Sequence, residues 1–152
     1  MQRIASFEVD HRFINEGIYI SRIDGDITTY DLRTRKPNSD SFMDNSTMHT
    51  FEHLFATYIR NSSIGERVIY FGPMGCATGF YLLVRNSKDS ETLKAVLGVL
   101  EQIISHTDEV FGNSETECGN YKTLCLEKAV SEAKRYLEVL KNEDIDFKYP
   151  LK

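Results

Sequence analysis

Basic charge, cysteine and long apolar runs are all in short supply in this chain. Lys and Arg number 18 against 23 Asp and Glu, a net charge of -5, and no basic stripe is visible. Nucleic acid and anionic membrane surfaces favour clustered Lys and Arg, so neither is expected as a partner. The longest uncharged run, residues 68–84, is broken by Gly72, Pro73, Gly75 and Gly79. It falls short of the ~20 apolar residues a membrane helix needs and reads as two strands around a turn. No apolar segment follows Met1, so no secretory signal is expected. Three cysteines, Cys76, Cys118 and Cys125, are too few for a disulfide scaffold. They are expected to be reduced thiols in the cytoplasm, free for metal or catalysis.

What is present is globular. The composition is 41% hydrophobic and 27% charged, without internal repeats or low-complexity tracts. The 152 residues are expected to form one domain, residues 1–152. A chain of this size buries roughly 70% of the surface its unfolded form would expose.

Residues 4–12 alternate loosely and suggest an opening strand. Residues 18–23 and 27–32 are β-branched and aromatic, and Asp24-Gly25-Asp26 between them makes a hairpin turn. Pro37-Asn38 marks a loop. Asp44, Asn45 and Ser46 are candidate N-caps for a first helix, whose apolar stripe is Met48, Phe51, Phe55 and Tyr58. Residues 67–71 and 78–84 read as strands, and 90–104 as the clearest amphipathic helix. A last helix is expected over 121–141. Helices mixed with neighbouring antiparallel strands, without strict β-α-β alternation, indicate an α+β fold with an antiparallel sheet packed against helices.

The densest chemistry lies in His49-Thr50-Phe51-Glu52-His53. On a helix, residues four apart share a face, so His49 and His53 can hold one divalent metal, with Glu52 beside them as a proton carrier. The alternative is a helix that merely carries two surface histidines. Cys118, in Glu117-Cys118-Gly119-Asn120, is a candidate third ligand, placed just before the expected last helix where the amide dipole favours a thiolate. It could equally be a small buried hydrophobe. Gly119 would let the backbone bend closely around a metal. Cys76 sits among Gly72, Pro73, Gly75 and Gly79, either displayed by a shaped turn or buried at a strand start. Cys125, between two leucines, reads as a structural residue on the last helix. Arg33 and Arg35 could clamp a carboxylate, or could be ordinary exposed strand-end arginines. His11 alone is ambiguous.

Taken together, five stretches resemble the S-ribosylhomocysteine lyase (LuxS) family. They are Ser6-Phe7-Glu8-Val9-Asp10-His11; Tyr30-Asp31-Leu32-Arg33 with Pro37-Asn38; His49-Thr50-Phe51-Glu52-His53-Leu54; Pro73-Met74-Gly75-Cys76-Ala77-Thr78-Gly79; and Cys118-Gly119-Asn120-Tyr121. The resemblance implies a homodimeric α+β enzyme with active sites at the dimer interface. It implies Fe(II) held by His49, His53 and Cys118, with zinc as a substitute. Cys76 and Glu52 would move protons, and Ser6, His11 and Arg33 would line the substrate pocket. The implied substrate is S-ribosylhomocysteine, cleaved to homocysteine and the autoinducer-2 precursor used in quorum sensing.

The chain departs from the family pattern at Tyr70, where aspartate is usual, at Gly72, where serine is usual, and at Ala77, Glu117 and Leu124-Cys125. Two rival readings stay open on residues alone: a small metal-dependent hydrolase with Glu52 activating water, and a non-catalytic domain stabilised by a closed metal site.

Overall fold

In the computed structural model, which describes residues 1–151, four antiparallel strands form one sheet in the order β1-β2-β4-β3. β1 (Gly17–Asp24) and β2 (Ile27–Arg33) are the expected hairpin, closed at Gly25, whose φ of 60° suits glycine. β3 (Val68–Pro73) and β4 (Gly79–Arg85) form a second hairpin, and β4 joins it to the first through β2. The fold is α+β, as expected.

Alternation sets which face each strand residue uses. Ile18, Tyr30, Leu32, Phe71, Phe80, Leu82 and Val84 point into the core. Against them pack α1 (Asn45–Arg60), α2 (Asp89–Ile104) and α3 (Leu126–Asn142). Four phenylalanines, Phe51 and Phe55 of α1 with Phe71 and Phe80 of the sheet, stack at centroid separations of 4.3–5.6 Å. This stack ties α1 to the sheet and leaves the helix face bearing His49, Glu52 and His53 half-buried.

Local chemistry explains the helix starts. Asp44 caps α1 by accepting from Thr47 N at 2.7 Å. Lys128 also reaches it at 2.9 Å. The backbone hydrogen bond to Thr47 and the Lys128 ammonium bring its pKa down to about 2. In α3 Ala129, Ala133, Leu137 and Leu140 are buried at helical spacing, and two residues with polar groups join them. Glu132 is buried against Arg35, and Tyr136 donates to Gly17 O at 2.8 Å.

Two expectations are corrected. Residues 4–12 form no strand. A 3-10 turn at Ala5–Phe7 and the turn Phe13 N–H to Asp10 O use their backbone groups locally. The β1 edge is met instead by the far end of the chain, through Ile20 N–H to Phe147 O at 2.8 Å. The last helix starts at Leu126, not at 121. Residues Tyr121–Thr123 make a separate 3-10 turn, and Cys125 is extended at φ -144°, its N–H donating to Thr50 Oγ1.

Candidate active site

His49 and His53 lie on consecutive turns of α1 with ring centroids 4.6 Å apart. Each ring has its Nδ1 committed. His49 Nδ1 meets Thr123 Oγ1 at 2.7 Å, and the Thr123 hydroxyl itself donates to Asn120 O at 3.1 Å. His53 Nδ1 meets the Phe111 carbonyl at 2.7 Å. A carbonyl only accepts, so Nδ1 of His53 carries the proton. The Thr123 hydroxyl already donates its hydrogen to Asn120 O, so toward His49 it accepts, and Nδ1 of His49 carries a proton too. Both Nε2 atoms are left with free lone pairs, the arrangement found when histidines bind a metal.

Cys118 completes the group. Its Sγ stands 3.4 Å from His49 Nε2, and one ligand atom from each of His49, His53 and Cys118 lies within 4.8 Å of the others. Two imidazoles and a thiolate suit zinc or ferrous iron, with a position left for water or substrate. Burial, then the neighbouring His53 charge, lowers the His49 pKa, with Glu52 opposing. That favours the neutral ring a metal requires.

The route by which Cys118 arrives differs from expectation. With α3 starting at Leu126, Cys118 is not at a helix N-terminus. The amide of Asn120, 3.4 Å from Sγ, is the backbone donor it receives. Gly119 is open to solvent, and a side chain there would touch nothing within 4 Å. The glycine that matters is Gly112. It adopts φ 73°, and a Cβ on it would come within 3.0 Å of His53 Nδ1. Thr123, Phe111 and Gly112 were not legible as site residues, because two act through oxygens that carry no motif and one through the absence of a side chain.

Glu52 shares a cavity of 240 Å³ with His49, Met48, Pro73 and Asn120. Cys76 faces a larger one of 580 Å³, lined also by His11, Asn38, Phe42 and Thr78. The turn from Pro73 to Thr78 thus contributes to both. It displays Cys76, which is exposed rather than buried at a strand start. Ala77, at φ 59°, is held by Ala77 N–H to Met74 O and Met43 N–H to Ala77 O. A non-glycine residue in this region is uncommon and is held here by its surroundings.

Arg33 is buried, not an exposed strand-end residue. It forms a bidentate pair with Asp31 at 2.6 and 3.1 Å, donates to Thr78 Oγ1 at 2.8 Å, and lies 4.0 Å from Cys76 Sγ. Burial opposes its charge most strongly, but Asp31 and Cys76 among its neighbours leave its pKa raised. Tyr149 donates to Asp31 at 2.7 Å, so a connected row runs from the half-buried Tyr149 through the buried Asp31 and Arg33 to the exposed Cys76. Arg35 also clamps a carboxylate, that of the chain's own Glu132 at 2.6 Å. Ser6 lies in the N-terminal 3-10 turn, Ala5–Phe7. Tyr70 and Gly72 are coupled: a Cβ at Gly72 would collide with the Tyr70 ring.

Comparison with known proteins gives one consistent result. Residues 4–146 match the family model described as S-ribosylhomocysteinase (LuxS). An S-ribosylhomocysteine lyase of Borreliella afzelii is 40% identical over 157 aligned positions, covering 99% of this chain and 100% of that protein. The lyases of Finegoldia magna and Desulfotalea psychrophila are 42% and 40% identical, each covering 93% of this chain and 94% of theirs.

Proposed function

The chain belongs to the S-ribosylhomocysteinase (LuxS) family, and we propose that Cys76 and Glu52 are the proton carriers of its lyase reaction. The activity is that of an S-ribosylhomocysteine lyase, a carbon–sulfur lyase. His49, His53 and Cys118 would hold the metal, Fe(II) in the cell with zinc as a substitute. The observation that supports this most is the commitment of both Nδ1 atoms, which turns two Nε2 atoms and one sulfur toward a common point.

When bound, the metal supplies a Lewis acid that polarises the sugar carbonyl and acidifies the neighbouring C–H. Everything else falls to the protein. Cys76 Sγ and the Glu52 carboxyl take a proton from the carbon beside the carbonyl and return one to the carbon the carbonyl leaves. Two such exchanges carry the carbonyl from C1 to C2 and then to C3. Removal of the C4 proton then drives the C5–S electron pair onto sulfur, which is protonated as homocysteine. The enol left between C4 and C5 loses its hydroxyl proton and gains one at C5, giving 4,5-dihydroxy-2,3-pentanedione. Atoms balance without water or redox change. Arg33, a cation 4.0 Å from Cys76 Sγ, attracts negative charge at that sulfur. Its bond to Thr78 Oγ1, which itself lies 3.0 Å from Sγ, fixes the sulfur's surroundings.

His11, on the Cys76 cavity, and Arg33 would contact substrate, as would Ser6. A homodimer with active sites at the interface fits the apolar groups left outside the fold, since Phe7 and Phe42 are each 64% exposed and Phe42 borders the Cys76 cavity. The three free thiols and the acidic balance suit a cytoplasmic enzyme without nucleic-acid or membrane partners. No described helix is long and apolar enough to cross a membrane. The test is homocysteine release from S-ribosylhomocysteine by anaerobic, Fe(II)-loaded protein, read with a thiol-reactive dye. Steady release is expected. Folded, metal-loaded protein that gives a flat trace would refute the assignment.

A further inference from the structure

The chain has four histidines, and the site described above uses three. The fourth, His106, is buried at the end of α2, and both of its ring nitrogens are bonded. Nε2 meets the Glu109 carbonyl at 2.9 Å, so it carries a proton. Nδ1 meets the Tyr58 hydroxyl at 2.7 Å. The rings of Tyr58, His106 and Phe111 then close on one another edge to face, with centroids 5.0 to 5.8 Å apart. Phe111 is the residue whose carbonyl accepts from His53 Nδ1. Its neighbour Gly112 lies against the same imidazole.

We infer that Tyr58 and His106 are positioning residues for His53: they pin the 106–112 loop so that the Phe111 carbonyl holds the His53 ring with Nε2 toward the metal. The inference rests on the reading of His53 as a ligand. The pair spans two elements. Tyr58 comes from α1, five residues beyond His53, and His106 from the loop after α2. The bond therefore locks the loop to the helix that carries the ligand. Without it the loop keeps its ring contacts, the Glu109 turn and the packing of Val110 in the core, but the Phe111 carbonyl loses one of the ties that hold it against Nδ1. Partners behind a ligating histidine tune metal affinity as well as orientation.

The test uses the whole chain loaded with Co(II), and needs no substrate. Tyr58→Phe keeps the ring contacts and removes one hydroxyl. His106→Phe keeps an aromatic ring and removes both hydrogen bonds. Transfer of Co(II) to a chelator is expected to quicken about 3- to 10-fold in Tyr58→Phe and by at least as much in His106→Phe, the range a single lost hydrogen bond allows. The visible Co(II) bands should shift as His53 tilts. Leu140→Ala, which opens the core in α3, should lower the melting temperature without changing either readout. Both variants losing Co(II) at the wild-type rate with unshifted bands would overturn the inference, as would a Leu140→Ala protein that loses metal as fast as they do. A wild-type chain that binds no Co(II) would overturn this inference and the metal reading together. A wild type that binds Co(II) normally but releases no homocysteine would count against the lyase mechanism alone, and the variants would still decide the positioning role.

Discussion

Thr123→Val removes one oxygen from behind His49 and little else. The substituted side chain has nearly the same shape, and the backbone of residue 123 still receives the Ser46 hydroxyl at 2.5 Å. What is lost is the 2.7 Å contact to His49 Nδ1 and the 3.1 Å hydrogen bond that the hydroxyl donates to Asn120 O. His49 is half-buried, so its Nδ1–H keeps partial access to water and the penalty is moderate. Two net hydrogen bonds at about 1 kcal/mol each put the change in fold stability near 1–2 kcal/mol. A domain with about 5–15 kcal/mol in hand stays folded. The larger effect falls on metal. The ring loses the partner that sets its orientation and tautomer, and removal of such a partner costs about 10- to 100-fold in affinity. That is about 1.4–2.8 kcal/mol. Zinc competition against a calibrated chelator measures it, and urea unfolding of the metal-free protein separates out stability. Thr123→Ser keeps the hydroxyl and should bind like the wild type. Wild-type affinity in Thr123→Val would refute the claim that Thr123 orients this ligand.

Three further perturbations probe other parts of the account. Gly112→Ala places a side chain at φ 73° and 3.0 Å from His53 Nδ1. It should cost about 1–2 kcal/mol of stability and weaken zinc binding, in contrast to Gly119→Ala, which should do neither. Asp31→Asn leaves the Arg33 guanidinium, 2% exposed, without its carboxylate; the expected loss is about 3–5 kcal/mol in urea unfolding, and an unchanged midpoint would show that Thr78 and Cys76 suffice to hold the charge. Asp44→Ala removes the α1 cap and should cost about 0.5–2 kcal/mol at neutral pH. Because the Asp44 pKa is lowered to about 2 in the fold, its contribution is full above the usual carboxylate value and fades as pH falls through 2. The gap between wild type and variant should therefore close in acid, and a constant gap from pH 7 to pH 2 would refute the capping role.

Much of the fold is legible in the sequence, where local chemistry decides the outcome. Asp24-Gly25-Asp26 dictates a hairpin, and Asp44 before an apolar stripe dictates a helix start. The errors arose where distant groups decide. Nothing in residues 4–12 shows that the β1 edge is met by Phe147, 127 positions along the chain from its partner Ile20. Nothing in 121–125 shows that the Thr50 hydroxyl will take the Cys125 amide and delay α3.

The same division holds at the site. His49, His53 and Cys118 are visible because histidine and cysteine are rare in this chain, four and three residues. Phe111 acts through its carbonyl, which every residue has, so no sequence pattern marks it. Arg33 carried the right residue type, but its burial depends on Asp31 two residues earlier and Tyr149 far downstream. Ser6, in the N-terminal 3-10 turn, is named only by the resemblance, because a lone serine carries no pattern of its own.

The central claim is that Cys76 and Glu52, standing on two cavities to which the same turn contributes, move the protons of a carbon–sulfur cleavage. It is tested most directly by homocysteine release from S-ribosylhomocysteine with Fe(II)-loaded Cys76→Ala and Glu52→Gln, each checked for full metal content. The account predicts that both variants retain metal and lose thiol release by about 100-fold or more, the scale expected when a general acid or base is removed. Full turnover by metal-loaded Cys76→Ala would contradict it.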